Sequence, residues 1–505
     1  MPDVTLLSEP TLLFGHNQGM EDPRDGLTLF GTLEKGSAYA IRAGVVGTKE
    51  GIRRYKQWVG MIQKPIIDLD KEGAPRIHRP MYPGFEAAFG IPWDVKPVLE
   101  IVIPDGELEK HLFLDDKHKR VYETVEVYSE RILRAKRQEE KAPDIWFVIV
   151  PELVWKKCRP KSYVEREFRI AATNKMPVKK ARGLYSQPSM FPEDNQAAIP
   201  YHYEVHFHNQ LKARLLRDQV MTQIIRETTI APDEFLDKFE RRQRGVDDPS
   251  AIAWNLTTAV YYKAGARPWK INQVREGVCY IGLVFKQNEL EPHNSCCAAQ
   301  MFLDSGDGIV FKGAVGPWHT PDKAGEFHLR RGAAKELIGV ALDTYKEHFL
   351  DPPRELFIHG QVRFNDEEWD GFRDAAGPET KVVGVRIRDE NHLKLFRKKK
   401  HTVLRGTTYL RDERTAFLWT RGFIPRLQTY PGRGVPKPLL IDVCRGEADL
   451  VTVCNDIMAL TKLNYNACVF ADGKPVTLKF ADAVGEILTA GPISDIPPLP
   501  FKHYI

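Results

Sequence analysis

The side chains best suited to binding an anion lie between residues 208 and 223. His208, Lys212 and Gln223 offer imidazole, ammonium and amide donors, and a phosphate accepts hydrogen bonds from all three kinds of group. The local pattern predicts one helix from about residue 205 to 227, on which these side chains lie within about 60° of one another. That sector contains no acidic residue. The alternative is a solvated basic face, because lysine and arginine mostly face water.

Other motifs that carry chemistry are few. The sequence contains no GxxxxGK[ST] phosphate-binding loop and no HExxH metal-binding helix. Its seven cysteines include no CxxC pair, so we expect neither a disulfide framework nor a zinc knuckle. The basic run FRKKKH at 396–401 is interpreted as a solvated loop, with a nucleic-acid groove as the alternative.

Length and charge limit the class of protein. A chain of 505 residues is long enough for two large domains or several smaller ones. The net charge is only +5, from 73 basic and 68 acidic residues, so any surface for a polyanion must be local. No apolar run approaches the roughly 20 residues that cross a bilayer, and the first residues lack the order of a signal peptide. We therefore expect a cytoplasmic protein with no membrane partner.

The elements that must position these side chains alternate between strands and helices. DIWFVIVP at 144–151 is typical of a buried strand, and a charged segment with helical period precedes it at 117–141. The second half predicts, in order, strands at 277–285 and 296–304, a helix at 332–349, a strand at 355–364, a helix with Asn365 as its N-cap, and a strand at 381–389. This order is that of a ribonuclease-H-like fold, although many α/β domains share it.

Several long motifs, in order along the chain, resemble short prokaryotic Argonautes. They are EPTLLFGHNQGMEDPRDGLTLFG (9–31), AVYYKAGARPWKI (259–271), VCYIGLVFK (278–286), CCAAQMFLDSGDG (296–308), LTKLNYNACVFADGKPVTLKFADAVGEIL (460–488) and FKHYI (501–505). Within that family the motifs look like the members that pair with a TIR-domain protein in SPARTA systems. The resemblance implies an α/β fold: an N-terminal segment and Rossmann-like MID domain over 1–270, followed by a ribonuclease-H-like PIWI domain over 271–505.

The family's MID pocket holds the 5′ phosphate of a guide strand. The resemblance carries this role to His208, Lys212 and Gln223, and to Lys263 in the segment YYKAG. It also implies that the C-terminal carboxylate of Ile505 lies beside the phosphate as a ligand of a divalent cation. Because such a cation has oxygen ligands only, we expect Mg²⁺. A docked apolar tail is the other interpretation of FKHYI, and the two are compatible.

Family members that cut nucleic acid carry aspartates on two PIWI strands, which hold two Mg²⁺ ions. Here the first of these positions falls at or next to Val284, in a strand without any acidic residue, and the second falls near Gln361, with no acid from Leu356 to Phe364. We therefore expect no catalytic residue and no strand cleavage. Nearby acids are interpreted as turn and helix-start residues, with an alternative metal site as the other possibility: Asp304, Asp307, Glu326, Asp366 and Glu367.

The resemblance thus implies a catalytically inactive sensor. It would bind a small 5′-phosphorylated guide RNA, recognise complementary single-stranded DNA, and activate a TIR-APAZ effector that degrades NAD(P)⁺ in defence against plasmids or phage, as a higher oligomer of the heterodimer. Thr461, Asn464 and Asn466 are expected near the guide backbone. The alternatives are a nuclease or sirtuin-like effector on the APAZ partner, a target-slicing nuclease, and a structural protein that binds no nucleic acid.

Overall fold

The computed structural model describes residues 3–34, 39–69, 73–74, 76–139, 143–160, 176–272, 275–287, 295–302, 308–316, 326–398, 400–492 and 499–505. The first half contains β1 (Asp3–Leu6), β2 (Leu12–Leu13), β3 (Gly19–Met20), α1 (Pro23–Phe30), β4 (Ala43–Gly47), α2 (Lys49–Met61), α3 (Phe85–Phe89), β5 (Leu99–Val102), α4 (Asp105–Leu112), α5 (Lys117–Gln138), β6 (Ile145–Val150), α6 (Glu152–Lys157), α7 (Val178–Ser186), α8 (Pro192–Ala198), α9 (Phe207–Leu216), β7 (Thr222–Arg226), α10 (Glu227–Ile230), α11 (Pro249–Lys263) and β8 (Lys270–Ile271).

The second half is built mainly from longer strands. It contains β9 (Val278–Gln287), β10 (Ser295–Phe302), β11 (Gly308–Gly316), α12 (Arg331–Phe349), β12 (Glu355–Gly360), α13 (Asp366–Ala376), β13 (Lys381–Asp389), β14 (Thr407–Leu410), β15 (Thr415–Leu418), β16 (Leu439–Arg445), α14 (Leu450–Leu460), α15 (Val476–Lys479), α16 (Ala481–Leu488) and β17 (Leu499–Pro500), and a 3-10 helix follows at Phe501–His503.

A parallel four-stranded sheet organises the first half. Its strand order is β5-β4-β6-β7. Both faces of its central strands are buried, which explains why β6 reads as a continuous apolar run. Phe147 and Ile149 enter the core on one face, and Trp146 and Val148 enter the core on the other. Helices therefore cover both faces, as in a Rossmann-like domain.

A mixed ten-stranded sheet organises the second half. Its order is β1-β14-β15-β16-β13-β12-β9-β10-β11-β17, and only β9, β12 and β13 run parallel to one another among the described strand pairs. Helices α12 and α13 pack on one face, where Leu337, Phe372 and Ile358 belong to one buried core. Helix α14 packs on the other face, with Val385 and Ile457 in the core.

The N-terminal segment lies across both halves. Strand β1 pairs with β14 in the ten-stranded sheet, while β2 pairs with β8 just after α11. The segment is fixed by charge as well as by strand pairing, because Glu9 forms ion pairs with Arg405 at 2.9 Å and Lys462 at 2.8 Å. Residues from opposite ends of the chain thus share one buried polar cluster.

Most of the predicted elements are present. The predicted strand at 381–389 coincides with β13, and Asn365 caps α13 through a reciprocal hydrogen-bonded pair with Glu368. The predicted strand at 355–364 ends early, at Gly360. No helix among the described residues is both long and apolar enough to cross a membrane.

Candidate nucleic-acid binding site

The predicted helix at 205–227 is wrong in its second half. Helix α9 begins after its N-cap, His206, whose ring nitrogen accepts a hydrogen bond from the Asn209 amide, and it ends at Leu216. The chain then turns through Gln219, which has a positive φ of 51°, and enters β7. Gln223 therefore lies on a strand, held by parallel pairing with Phe147 in β6. A single helical face does not explain how these side chains meet.

Tertiary packing brings the predicted site residues together in a different way. Lys263, the last residue of α11, points its ammonium group at β7: its Nζ donates to Gln223 Oε1 at 2.7 Å and to the main-chain oxygen of Thr222 at 3.1 Å. Lys212, on α9, donates from Nζ to the main-chain oxygen of Ile505 at 2.5 Å. Both lysines are buried. Two helices, one strand and the end of the chain thus converge on one site.

Among the described residues, no aspartate or glutamate side chain pairs with Lys212 or Lys263, and the partner of Lys212 is the terminal oxygen of Ile505. Burial lowers the pKa of Lys212 from 10.5 to about 7. Burial, followed by repulsion from Lys212, lowers the pKa of Lys263 well below its usual value. His208 is affected similarly: burial first, then the charge of Lys212, lowers the pKa of its imidazole to about 3. A bound anion would remove this penalty, because an opposite charge favours the protonated amines.

Sequence reasoning missed His503 as a member of this site. Its Nδ1 is buried and has no hydrogen-bond partner within the described part of the chain. Burial and the neighbouring charges of Lys502 and then Lys212 lower the pKa of its imidazole to about 4. The only available signal was its place in FKHYI, and the 3-10 helix that contains it reaches the site by packing against α11.

A cavity of about 320 Å³ adjoins His208 and continues the site towards β6. Trp155 lies at its wall, and the guanidinium carbons of Arg159 and Arg226 lie 3.5 Å and 4.0 Å from its ring centroid. Glu152 holds Arg226 through two hydrogen bonds of 2.6 and 2.7 Å. An aromatic ring and fixed cations beside a cluster of ammonium groups can accommodate a base next to a phosphate.

Comparison with known proteins agrees with this architecture. No protein-family model matches the chain, and no curated protein matches it in sequence. Among solved structures, it is similar to Clostridium butyricum Argonaute bound to a guide DNA with a 5′ deoxycytidine and a 19-mer target DNA, with a TM-score of 0.62 and 15% identity over 98% of this chain and 54% of that one. The chain has the fold of Argonaute MID and PIWI domains.

Two further structures support the same fold. Drosophila Piwi matches with a TM-score of 0.60 and 12% identity, over 99% of this chain and 56% of that one. Aquifex aeolicus Argonaute matches with a TM-score of 0.55 and 13% identity, over 98% of this chain and 54% of that one. The chain therefore spans little more than half the length of these structures. Its Rossmann-like MID domain and ribonuclease-H-like PIWI domain confirm the predicted fold class.

The PIWI residues expected near a guide backbone lie beside the MID domain. Tyr465 packs its ring on Tyr262 of α11, with centroids 4.6 Å apart. Thr461 is buried; its hydroxyl donates to the main-chain oxygen of Met458 and accepts from Arg405. The side chain of Asn464 accepts a hydrogen bond from the amide of Asn466. These contacts fix the segment that follows α14, whereas a role in binding a guide stays a prediction.

Two of the five acidic residues named as candidates for another metal site have basic partners. Glu326 lies 3.7 Å from His328, and Asp366 pairs with Arg445 at 2.5 Å. Glu367 is exposed on the first turn of α13. Asp304 and Asp307 lie outside the described residues. In the part of the chain that the structure describes, no group of three or more His, Cys, Asp or Glu side chains could hold a metal ion.

The site at Lys212 is a poor ligand set for Mg²⁺ by itself. Ile505, the last residue of the sequence, supplies its terminal carboxylate there, and one oxygen of that carboxylate already accepts a hydrogen bond from the Lys212 ammonium group. The surrounding side chains of Lys263 and His503 are bases rather than anionic oxygen ligands. Since Mg²⁺ prefers carboxylate and phosphate oxygens, the described residues fit a phosphate and would fit a cation only after a phosphate had bound.

Proposed function

We propose that this protein binds the 5′ phosphate of a small guide RNA between its MID domain and the end of the chain. The observation that carries the proposal is the pair of buried lysines, Lys212 and Lys263, whose lowered pKa values mark a site that an anion would stabilise. In this assignment Lys212 and Lys263 neutralise the phosphate, and His208 and Gln223 orient it. The cavity beside His208 would receive the first base.

The rest of the proposed function follows the resemblance to SPARTA Argonautes. The guide would select complementary single-stranded DNA by base pairing, while the protein contacts backbone and helical shape. A TIR-APAZ partner would then degrade NAD(P)⁺. The Clostridium butyricum structure, which holds a guide and a target, supports a guided strand-recognition role for this fold. The resemblance also implies a Mg²⁺ ion between this phosphate and the terminal carboxylate of Ile505, where the phosphate would supply the further anionic oxygens that Mg²⁺ prefers.

Strand cleavage has no part in the proposed function. β9 and β12 supply one acidic side chain between them, Glu355, and it is held by Arg275 at the start of β12. His359 near the other end of β12 is buried, and its Nδ1 lies 2.9 Å from the hydroxyl of Thr477. A purified, guide-loaded protein should leave a labelled complementary strand intact in Mg²⁺ and in Mn²⁺. Guide-dependent cleavage would contradict the assignment.

The guide assignment is tested on nucleic acid that copurifies with the protein. The native protein and Lys212→Ala/Lys263→Ala are isolated with the genomic neighbour of the gene, and the extracted strands are labelled at their 5′ ends before and after phosphatase treatment. Short 5′-phosphorylated RNA is expected in the native protein and is lost in the variant. Lys110→Ala/Lys119→Ala, with two exposed lysines in the same domain, is the matched control. If Lys212→Ala/Lys263→Ala retained as much RNA as the native protein and the control variant, the proposed phosphate site would be rejected.

A further inference from the structure

Three arginines cluster at the carboxyl ends of the parallel PIWI strands. β9, β12 and β13 run in the same direction, so their carboxyl ends meet at one edge of the sheet. Arg363 follows β12 by three residues, and Arg386 and Arg388 lie near the end of β13. In open α/β sheets this edge is where ligands usually bind.

Asp442 fixes two of these guanidinium groups. It lies on β16 directly opposite Arg386, and one carboxylate oxygen, Oδ2, receives all the contacts. Arg363 approaches it with Nε at 3.0 Å and Nη2 at 2.9 Å, and Arg386 approaches with Nη2 at 2.9 Å. The Asp442 side chain is 5% exposed, whereas that of Arg363 is 64% exposed. The arrangement holds a guanidinium group at the surface in a fixed position.

One carboxylate cannot neutralise three guanidinium groups. Burial lowers the pKa of Arg386, and repulsion from Arg363 and Arg388 acts in the same direction, against the attraction of Asp442. The buried Nε of Arg386 has no hydrogen-bond partner within the described part of the chain. Neighbouring acids are already paired, Asp366 with Arg445 and Asp389 with Lys474. The edge therefore keeps an excess of positive charge, although the whole chain carries only +5.

The face of β13 that carries these arginines is only partly covered. Gly384, Arg386 and Arg388 alternate onto one face of the strand. The Phe364 ring covers Gly384, and a Cβ at position 384 would lie only 2.9 Å from that ring. Arg388, further along, is exposed. The opposite face is buried under α14, where Val385 and Ile387 are in the core.

We propose that Arg363, Arg386 and Arg388 bind the phosphodiester backbone of a nucleic-acid strand at this edge of the PIWI sheet, with Asp442 as their positioning residue. The inference rests on the proposed function, because it needs a strand to be present. Guanidinium groups suit this role since their planar donor forks match phosphate oxygens. Such contacts attract either strand, so the same chemistry would serve the guide or the target.

The test removes the two exposed arginines and keeps the buried Arg386 and Asp442 contact. Arg363→Gln/Arg388→Gln is loaded with a synthetic 5′-phosphorylated RNA guide, and binding of a labelled complementary DNA strand is measured across a salt series. Arg331→Gln/Arg373→Gln is the matched control, because these arginines are also exposed and lie beside the amino end of β13. Thermal unfolding of each variant reports whether the fold is intact, and the single variant Arg388→Gln serves if the double variant unfolds early.

Two outcomes support the inference. In the first, guide loading is unchanged and target affinity falls about tenfold, which identifies the bound strand as the target. The slope of log affinity against log salt concentration should then be shallower by about 1.4 if two phosphate contacts are lost, or by about 0.7 if one is lost. In the second, the variant binds the guide RNA more weakly than the native protein does, which identifies the bound strand as the guide.

Other outcomes overturn it. Affinities and salt slopes equal to those of the control would show that the arginines only stabilise the sheet edge. Loss of a protein partner with unchanged strand binding would assign the edge to that partner. If the native protein binds no strand at all, the proposed function fails together with this inference, whereas native binding with unaffected variants rejects the inference alone.

Discussion

At the scale of single residues, the proposed phosphate site lowers the stability of the guide-free protein. Lys212 and Lys263 are buried and pair with no aspartate or glutamate side chain among the described residues, and burial lowers the pKa of Lys212 to about 7. An unpaired buried charge destabilises a fold, and proteins keep such groups mainly where they serve binding or catalysis. A bound anion would offset this loss of folding free energy. Removing either charge should therefore raise the stability of the guide-free protein and weaken anion binding.

Lys212→Met should therefore stabilise the guide-free protein while weakening guide binding. Methionine retains most of the side-chain volume and removes the buried charge, so the free energy of unfolding should rise by about 1–3 kcal/mol at pH 6, even after the loss of the hydrogen bond to Ile505. Thermal unfolding of guide-free protein and a 5′-phosphorylated RNA binding assay measure the two effects. Lys119→Met, on the exposed face of α5, should change neither. A variant that is less stable and binds normally would make Lys212 a structural residue.

The depressed pKa of Lys212 also predicts how binding depends on pH. The folded pKa of about 7 lies below the usual 10.5. The charge of Lys212 therefore lowers the free energy of unfolding by its full amount below pH 7, and this loss of stability disappears as the pH rises from 7 to 10.5. A phosphate needs the protonated amine, so its binding takes up a proton above pH 7. Affinity for a 5′-phosphorylated strand, relative to the 5′-hydroxyl strand, should fall up to tenfold for each pH unit between about 7 and 9. A constant ratio would show that Lys212 does not contact the phosphate.

At the scale of secondary structure elements, α15 packs against β9, β10 and β12 of the ten-stranded sheet and approaches the backbone of β9 closely. A Cβ on Gly282 would lie 1.9 Å from the main-chain oxygen of Thr477, so only glycine fits there. The Thr477 hydroxyl also lies 2.9 Å from Nδ1 of His359 on β12. The three residues join α15 to two neighbouring parallel strands, close to the edge that holds the arginine cluster.

Gly282→Ala should separate α15 from the sheet. The added methyl group forces either the strand or the helix to move, and overpacking of this kind costs about 1–3 kcal/mol. Gly339→Ala is the matched control, because the space beside that glycine in α12 is open, and alanine there should stabilise the protein by about 0.5–1 kcal/mol. Chemical unfolding measures both variants. Equal stability of Gly282→Ala and the native protein would contradict the close packing.

At the scale of the whole molecule, a buried ion cluster connects the beginning of the chain to the PIWI domain. The carboxylate of Glu9 forms ion pairs with the buried side chains of both Arg405 and Lys462. Although burial opposes ionisation, Arg405 and Lys462 hold the pKa of Glu9 below 4.5. This stabilisation is present above pH 4.5 and is lost as the pH falls through the folded pKa of Glu9.

Glu9→Gln should destabilise the protein by about 3–5 kcal/mol at pH 7, because it leaves two buried cations without their carboxylate. The difference from the native protein should shrink in acid, where Glu9 of the native protein is also neutral. Denaturant unfolding at pH 7 and at a series of pH values below 4.5 measures this. Glu50→Gln breaks an exposed ion pair with Arg53 and should have little effect. A small change in Glu9→Gln would show that the cluster is dispensable.

The sequence by itself determined those features that depend on local pattern. The buried run at 144–151 predicted β6, and the Asn365 cap predicted the start of α13, because burial on both faces and capping chemistry are encoded within a few residues. The motifs also predicted the fold class, which the Argonaute structures confirm. Lys212 was indicated by its spacing from His208 and Gln223 as well as by the resemblance, whereas Lys263 came from the resemblance alone, and the binding role of both lysines stays a prediction.

Only the tertiary structure decided how these residues meet. A continuous helix was expected through Gln223, but Gln219 takes a positive φ and β7 pairs with β6, a long-range contact that helical periodicity cannot reveal. His503 and the arginines around Asp442 were missed for the same reason, since their neighbours come from distant segments of the chain. Local sequence specifies elements, whereas a binding site depends on which distant elements the fold packs together, because burial and charge act through space.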